Sequence, residues 1–308
     1  MSVAQVACQD AGLETVSLAP QSRTCLLDLS VGLVEDVRSA GLPRQSDARA
    51  FSPQFQLALP YRGLFVWHVG RDEVVGDANQ ALFVTGGESY RMSHPVAGGY
   101  GELIVTPAPC VVSELTHATG GSLRAHPLFR RRSRRLDPRL QSFRARFLSW
   151  ANGTSSMTDS LAAEELVLAL LRSALDHGAS RRPSSSTQRL IARTKAFLEA
   201  ELTRSIRLMD IGRAVGASPV YLTHVFRCIE GVPLHQYLTQ LRLARALVEL
   251  PHSDDLTKLA LDVGFSSHSH FSAKFRGAFR ATPSQFRQLL RGRLRPASPV
   301  VSAALVSV

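Results

Sequence analysis

The chain lacks any apolar run near the roughly twenty residues that a membrane-spanning helix requires. Met1 to Asp10 has no basic stretch ahead of an apolar one, so no secretory leader is expected there. Cysteine is scarce: Cys8, Cys25, Cys110 and Cys228 are scattered, without a Cys-x-x-Cys pair. That spacing excludes a zinc finger and a disulfide scaffold, and it suits a reducing cytoplasm. Each thiol is read as a small buried hydrophobe, with a redox sensor as the alternative. No glycine-rich phosphate loop occurs, and Asp159 and Ser160 find no partners for a nucleophilic triad. These absences leave no catalytic residues to name, and an enzyme is not expected.

What is present is charge, unevenly placed. The 308 residues carry a formal net charge of +11, and a chain of this length is expected to form two domains. Residues 188–308 hold 17 Lys+Arg against 8 Asp+Glu, residues 124–187 hold 12 against 5, and residues 1–123 hold 7 against 12. A basic C-terminal part attracts polyanions through counterion release.

From Phe55 to Leu115 short apolar runs alternate with turn residues: Phe55–Leu59, Gly63–Val69, Ala81–Thr85, Glu102–Thr106 and Cys110–Leu115. Closely spaced runs punctuated by Gly, Pro and Asn predict an antiparallel β domain, barrel or sandwich. Leu26 to Val37 reads as either strand or helix. Helices follow. Pro138 to Trp150 sets Leu140, Phe143, Phe147 and Leu148 on one face and arginines on the other. Asp159 is a candidate cap for Ser160 to His177, whose leucines at 161, 168, 171 and 175 repeat at helical spacing, broadened by Leu166 and Leu170. That stripe fits packing on the β domain or on the same helix of a second copy. Residues 178–187 read as a polar linker, and residues 293–308 as a loose tail.

The most specific signal is a near-repeat. Gly216-Ala217-Ser218-Pro219 opens one helix, and Gly264-Phe265-Ser266-Ser267 opens another about fifty residues later. Leu208 to Val215 predicts a short helix, Gly216 a left-handed turn, Ser218 an N-cap, and Pro219 the first helical position. Tyr221, Leu222, Val225 and Phe226 are the core candidates of the helix that follows. The second unit repeats this with Leu256, Leu259, Ala260 and Val263, a turn at Gly264-Phe265, and inward Phe271, Phe275 and Phe279. Pro233 to Leu250 joins the two as one long helix of roughly 27 Å, close to the roughly 34 Å of a DNA turn. A helix, tight turn and second helix with a polar outer face is the arrangement that reads a major groove.

These residues resemble the C-terminal domain of the AraC/XylS family of transcription regulators. The resemblance covers about residues 188–292 and rests on Leu259-Ala260, Gly264-Phe265, Ser269-His270-Phe271, Phe275-Arg276, Thr282-Pro283 and Phe286-Arg287. Tyr237-Leu238, Leu241-Arg242-Leu243 and Ala246 fit the family's linking helix. It implies base contacts from Val220, Thr223 and His224 in the first unit, and from His268, Ser269, Ser272 and Ala273 in the second. Phosphate contacts are assigned to Ser218, Arg227, Ser267, Arg276 and Arg280. The helix-turn-helix units are expected at about 208–229 and 256–279.

Leu59 to Gly63 and Gly87 to Val96 look like the sensor half of an AraC-type subgroup. This implies a cupin-like effector-binding or dimerisation domain over residues 1–177, with its β part at about 50–120 and helices at about 138–177. Its pocket candidates are Phe65, Trp67, His68, Tyr90, His94 and Tyr100. A metal centre in such a domain needs two closely spaced His, an acid and a later His. Gly70 stands where the partner of His68 would fall, and Glu73, His94 and His117 do not complete the set. No metal and no cofactor are therefore expected. The expected partners are double-stranded operator DNA, a small-molecule effector, a second copy of the chain, and RNA polymerase if the protein activates. The alternatives are a constitutive DNA-binding regulator whose N-terminal domain only dimerises, and a metal-dependent β domain tethered to a DNA-binding module.

Overall fold

The computed structural model describes residues 21–40, 49–70, 72–117, 132–151, 160–175 and 184–292. Its N-terminal part is built from β1 (Gln21–Leu29), β2 (Gly32–Ser39), β3 (Arg49–Phe51), β4 (Gln56–Arg62), β5 (Phe65–Val69), β6 (Asp72–Gly76), β7 (Gln80–Val84), β8 (Ser89–Ser93) and β9 (Tyr100–Pro107). Then come α1 (Pro109–His117), β10 (Ser133–Arg135), α2 (Pro138–Ala151) and α3 (Ser160–Leu175). The strands form a six-stranded sheet, β1-β2-β9-β4-β7-β10, and a four-stranded sheet, β3-β8-β5-β6. Residues from both sheets, among them Val37, Ala58, Leu82 and Ile104 from one and Phe65, Trp67 and Val74 from the other, share one core. The sheets thus face each other. The opposite face of the six-stranded sheet buries Leu57, Leu59, Leu103 and Val105 under α1, α2 and α3.

The β region is wider than its expected span of about 50–120, because Leu26–Val37 resolves into the end of β1 and most of β2, and β10 returns at residue 133. Cys110–Leu115 is not a strand. Pro107 and Pro109 lack the N–H groups a ladder needs, and Pro109 fits the first turn of a helix. Val111 then buries against the sheet, with Leu115 one turn later. In α3, Ala163, Leu166, Val167, Leu170 and Leu171 are buried against the sheet of their own chain, while Leu161 is exposed. That stripe is occupied within the chain, which removes the observation that motivated a dimer through this helix. The candidate cap Asp159 lies outside the described residues.

The C-terminal part contains α4 (Ser185–Ala200), α5 (Leu208–Val215), α6 (Pro219–Glu230), α7 (Leu234–Glu249), a 3-10 turn (Leu250–His252), α8 (Leu256–Asp262), α9 (His268–Phe279) and α10 (Pro283–Leu290). α4 begins inside the stretch 178–187 expected to be a linker, because the Ser184 side chain caps it by accepting from the Thr187 N–H. Ser185 to Thr187 are therefore helical rather than linker, and residues 178–183 and 293–308 lie outside the described residues. Two cores run through this part. One gathers Ile211, Val215, Leu222, Phe226, Tyr237 and Leu241. The other gathers Leu247, Leu259, Val263, Phe271, Phe275, Phe279 and Phe286. At about 1.5 Å per residue α7 is about 24 Å long, and it contributes to both.

Candidate nucleic-acid interface

Both units are closed by short-range chemistry. Gly216 ends α5 at φ 68°, and Ser218 accepts the Tyr221 N–H (3.3 Å) with Pro219 at the first helical position. Gly264 turns the chain at φ 93° after α8, and Ser267 accepts the His270 N–H (3.1 Å). Of the two serines considered for that cap, Ser266 instead bonds the His270 ring (3.2 Å). The N-terminal turns of α6 and α9 thus keep free backbone N–H groups at exposed, capped ends, which is where a helix attracts phosphate.

The outward faces differ. On α6, Val220 is 80% exposed and His224 and Arg227 are exposed, while Thr223 is half-buried and donates its hydroxyl to the Pro219 and Val220 carbonyls (2.9 and 3.0 Å). Tyr221, read as core, is 53% exposed: Leu222 and Phe226 fill the inward positions one turn apart and leave the ring no room inside. On α9, His268, Ser269, Ala273, Arg276 and Arg280 are exposed, and Ser272 is half-buried with its hydroxyl 3.3 Å from His268 Nε2. Ser218 and Ser267 are exposed as well as capping. The side chains assigned to bases and phosphates therefore lie along the outer sides of α6 and α9, at their N-terminal ends and, for Arg280, at the C-terminal cap of α9. Cys25, Cys110 and Cys228 are free and exposed rather than buried; Cys228 Sγ lies 3.8 Å from His224 Nε2.

The N-terminal candidates divide into two sets. Phe65, Trp67, Tyr90, His94 and Tyr100 come together. Their ring centroids lie 5.8 Å apart for Phe65–Trp67, 4.9 Å for Phe65–Tyr100, 5.3 Å for Trp67–Tyr90 and 5.1 Å for His94–Tyr100. His68 alternates to the other face of β5, where its Nε2 bonds Ser93 Oγ (2.8 Å) and its Nδ1 is 3.9 Å from Glu73. It does not join the aromatic set. Burial pushes the Tyr90 phenol up to about 12 and holds the His94 imidazole below its ordinary range.

A group of residues that the sequence did not single out ties the β part to the first unit. The turn Asp77-Ala78-Asn79 is buried against α4 and α7. Tyr237 donates its hydroxyl to Asp77 Oδ2 (2.6 Å), and Asn79 donates to the Tyr237 carbonyl (3.0 Å). Gln80 donates to Glu230 (2.9 Å), which also pairs with the buried Lys195 (2.8 Å). Gln141 on α2 donates to Asn79 Oδ1 (3.0 Å), and Arg144 donates to the Ala78 carbonyl (3.0 Å) and to that of Pro60. Arg144, on the arginine face of α2, is only 1% exposed. That face of α2 meets this turn and the C-terminal core, where Ala145 packs and Ser149 bonds the Leu290 carbonyl. Burial lowers the Arg144 pKa to about 9 and raises those of Asp77 and Tyr237.

A helix-turn-helix domain model matches residues 211–289, which takes in nearly all of both units. The regulatory protein PocR of Salmonella typhimurium is 30% identical over 103 residues, 33% of this chain and 34% of PocR. This chain thus aligns with about a third of that relative's length. SoxS of Escherichia coli is 31% identical over 106 residues, 34% of this chain and 99% of SoxS. A transcriptional regulator of Chromobacterium violaceum with an AraC-type DNA-binding domain is 28% identical, covering 38% of this chain and 99% of its own, at a TM-score of 0.33. With 99% of SoxS aligned at 31% identity, the chain belongs to the AraC family of transcription regulators.

Proposed function

We propose that the protein is a sequence-specific DNA-binding regulator in which α6 and α9 enter successive stretches of one major-groove face, and in which the β part sets how well they do so in response to a small molecule. The reading rests on one observation. Two helices with serine-capped, exposed N-termini each present an arginine one turn beyond their candidate base readers, Arg227 after Thr223 and His224, and Arg276 after Ser272 and Ala273. Phosphate contacts from the arginines fix register, and Val220, Thr223, His224, His268, Ser269, Ser272 and Ala273 meet base edges. Val220 and Ala273 offer apolar contact to a thymine methyl. Binding-site selection with the full chain at stated salt tests this. Two half-elements about one helical turn apart are expected; a single element would remove α9 from base reading.

Control by the β part would pass through the Asp77-Ala78-Asn79 turn. That turn directly continues β6, the partner strand of β5, which carries Phe65 and Trp67. A ligand that shifts the aromatic set therefore acts one hairpin away from the Tyr237–Asp77 bond. Tyr237→Phe should change operator affinity severalfold in the unliganded protein. A change in melting temperature alone, with operator affinity intact, would reduce the turn to a structural contact.

A further inference from the structure

The inter-sheet core contains a carboxyl group that nothing in the fold explains. Glu102 on β9 shares a strand face with Tyr100 and Ile104, both members of that core, so its side chain points between the sheets. It is 4% exposed, and its Oε2 has no hydrogen-bond partner. Trp67 Nε1 and His94 Nδ1, in the same aromatic set, are also buried and unpartnered. Three such atoms around one cluster are unusual, because buried polar groups are nearly always paired. Among the described residues, the cation whose charge bears on Glu102 is Arg23, two strands away on the same face across Val37. Arg23 is half-exposed and already lies 3.5 Å from Glu35. Glu35 thus holds that arginine, while the charge of Glu102 bears on the Tyr90 and Tyr100 phenols, with the Trp67 ring beside Tyr90 at 5.3 Å.

Resting on the reading of the β part as an effector domain, we propose that this site takes a small organic cation, a primary amine or amidinium on an aromatic or apolar body. Its nitrogen donates to Glu102, and its body lies among Trp67, Tyr90 and Tyr100. A cation over aromatic faces is attracted by the ring quadrupoles, more strongly when both are desolvated. A charge-assisted bond to Glu102 removes the cost of burying that carboxyl alone. In keeping with this, burial raises the Glu102 pKa to about 8, so that without a cation the carboxyl is mostly protonated at neutral pH.

Three probes of one shape and different charge test the assignment: benzylamine, benzyl alcohol and benzoate, each titrated into the full-length protein with melting temperature and Trp67-sensitive fluorescence as readouts. Benzylamine should raise the melting temperature saturably, and the other two should not. Glu102→Gln should weaken benzylamine about tenfold or more while the variant stays folded. Arg23→Ala should tighten it, because a competing positive charge is gone. Preference for benzoate would overturn the sign of the ligand and leave the effector domain standing. Benzylamine binding that ignores Glu102→Gln would overturn the site. If neither these probes nor a chemically mixed metabolite set shifts the melting temperature or operator affinity, the effector reading fails along with the proposal.

Discussion

Gly216 turns the chain in open space: a Cβ built there meets nothing within 4 Å. Gly264, its counterpart in the second unit, turns against the Leu202 carbonyl, which a Cβ would approach to 2.6 Å, and against Arg242 Nε at 2.8 Å. Both glycines hold positive φ, at 68° and 93°. The first is needed only for its backbone conformation. The second is needed for that and for the close seat of its turn on the end of α4, where Arg242 also donates to the Leu202 carbonyl (2.8 Å). The two units share a plan but are anchored differently. The turn of the second unit is wedged by backbone packing against the end of α4, and that unit also meets α2 through Ala145 and Ser149, whereas the first is held through the Asp77–Tyr237 contact with the β part. Equal residues in a repeat need not carry equal constraint.

Alanine at each glycine separates the two turns most strongly. Gly264→Ala should cost about 3 kcal/mol or more, combining a strained backbone with a backbone clash that no flexible side chain can relieve. Gly216→Ala should cost about 1 kcal/mol, the left-handed penalty alone. Urea denaturation of the two variants measures both. Equal losses would mean that the turn of the second unit yields, and that its close seat is not a constraint.

Next in size is base discrimination. His224 occupies on α6 the position that Ala273 occupies on α9, each one residue after a half-buried hydroxyl. His224→Ala should relax preference at one operator position by about 1–3 kcal/mol. Ala273→Gly should change almost nothing at any position, since a methyl offers only weak apolar contact. Site selection with each variant separates these outcomes. Similar loss from both would place the second unit on equal footing as a reader. Smaller again are the phosphate contacts. Arg227→Ala and Arg276→Ala should weaken all DNA sequences alike, each reducing the salt slope by about 1. A sequence-dependent loss from either would move that arginine to the bases.

The parts of this plan that were legible in the sequence are local. Ser218-Pro219 and Thr282-Pro283 announce helix starts because a cap bonds a neighbour two or three residues on, and the structure has Thr282 and Gln285 capping one another. Phe271, Phe275 and Phe279 declare a buried face by their spacing alone. Arg144 and the Asp77–Asn79 turn were not legible, because their partners lie far along the chain: Arg144 meets Pro60 and Ala78, and Asp77 meets Tyr237. An arginine on the polar side of a helix reads as solvated until a second surface covers it. Tyr221 fails for the opposite reason. Its position is near the apolar stripe of α6, but Leu222 and Phe226 already fill the core, so the ring is left outside beside Val220. Two exposed apolar side chains at the start of the helix proposed to read DNA would then be available for contact with base methyl groups and sugars. Among the pocket candidates, strand alternation placed Phe65 and Trp67 on one face, but it could not say that Glu102, on a different sheet, faces the same core.

The smallest expected effect lies at the far ends of α6 and α9. α6 ends at Gly231 with φ 73°, whereas α9 ends at Arg280 with φ 57°, the one non-glycine positive φ among the described residues. Both close the helix in the same way, with the cap N–H bonded to the carbonyl four residues back, Arg227 or Arg276, at 2.9 Å. The second unit therefore carries strain that the first avoids, and Arg280 is exposed beside its candidate phosphate ligand Arg276. If the strain is tolerated for DNA contact, Arg280→Gly should stabilise the protein by about 0.5–1 kcal/mol, the left-handed penalty less the added freedom of glycine in the unfolded chain. It should also weaken operator binding and lower the salt slope. Arg280→Lys should change neither much, since it keeps both the strain and the charge. A stabilised Arg280→Gly protein with undiminished DNA affinity would show that the residue is only a poor cap, and that the second unit contacts phosphate through α9 and not through its end.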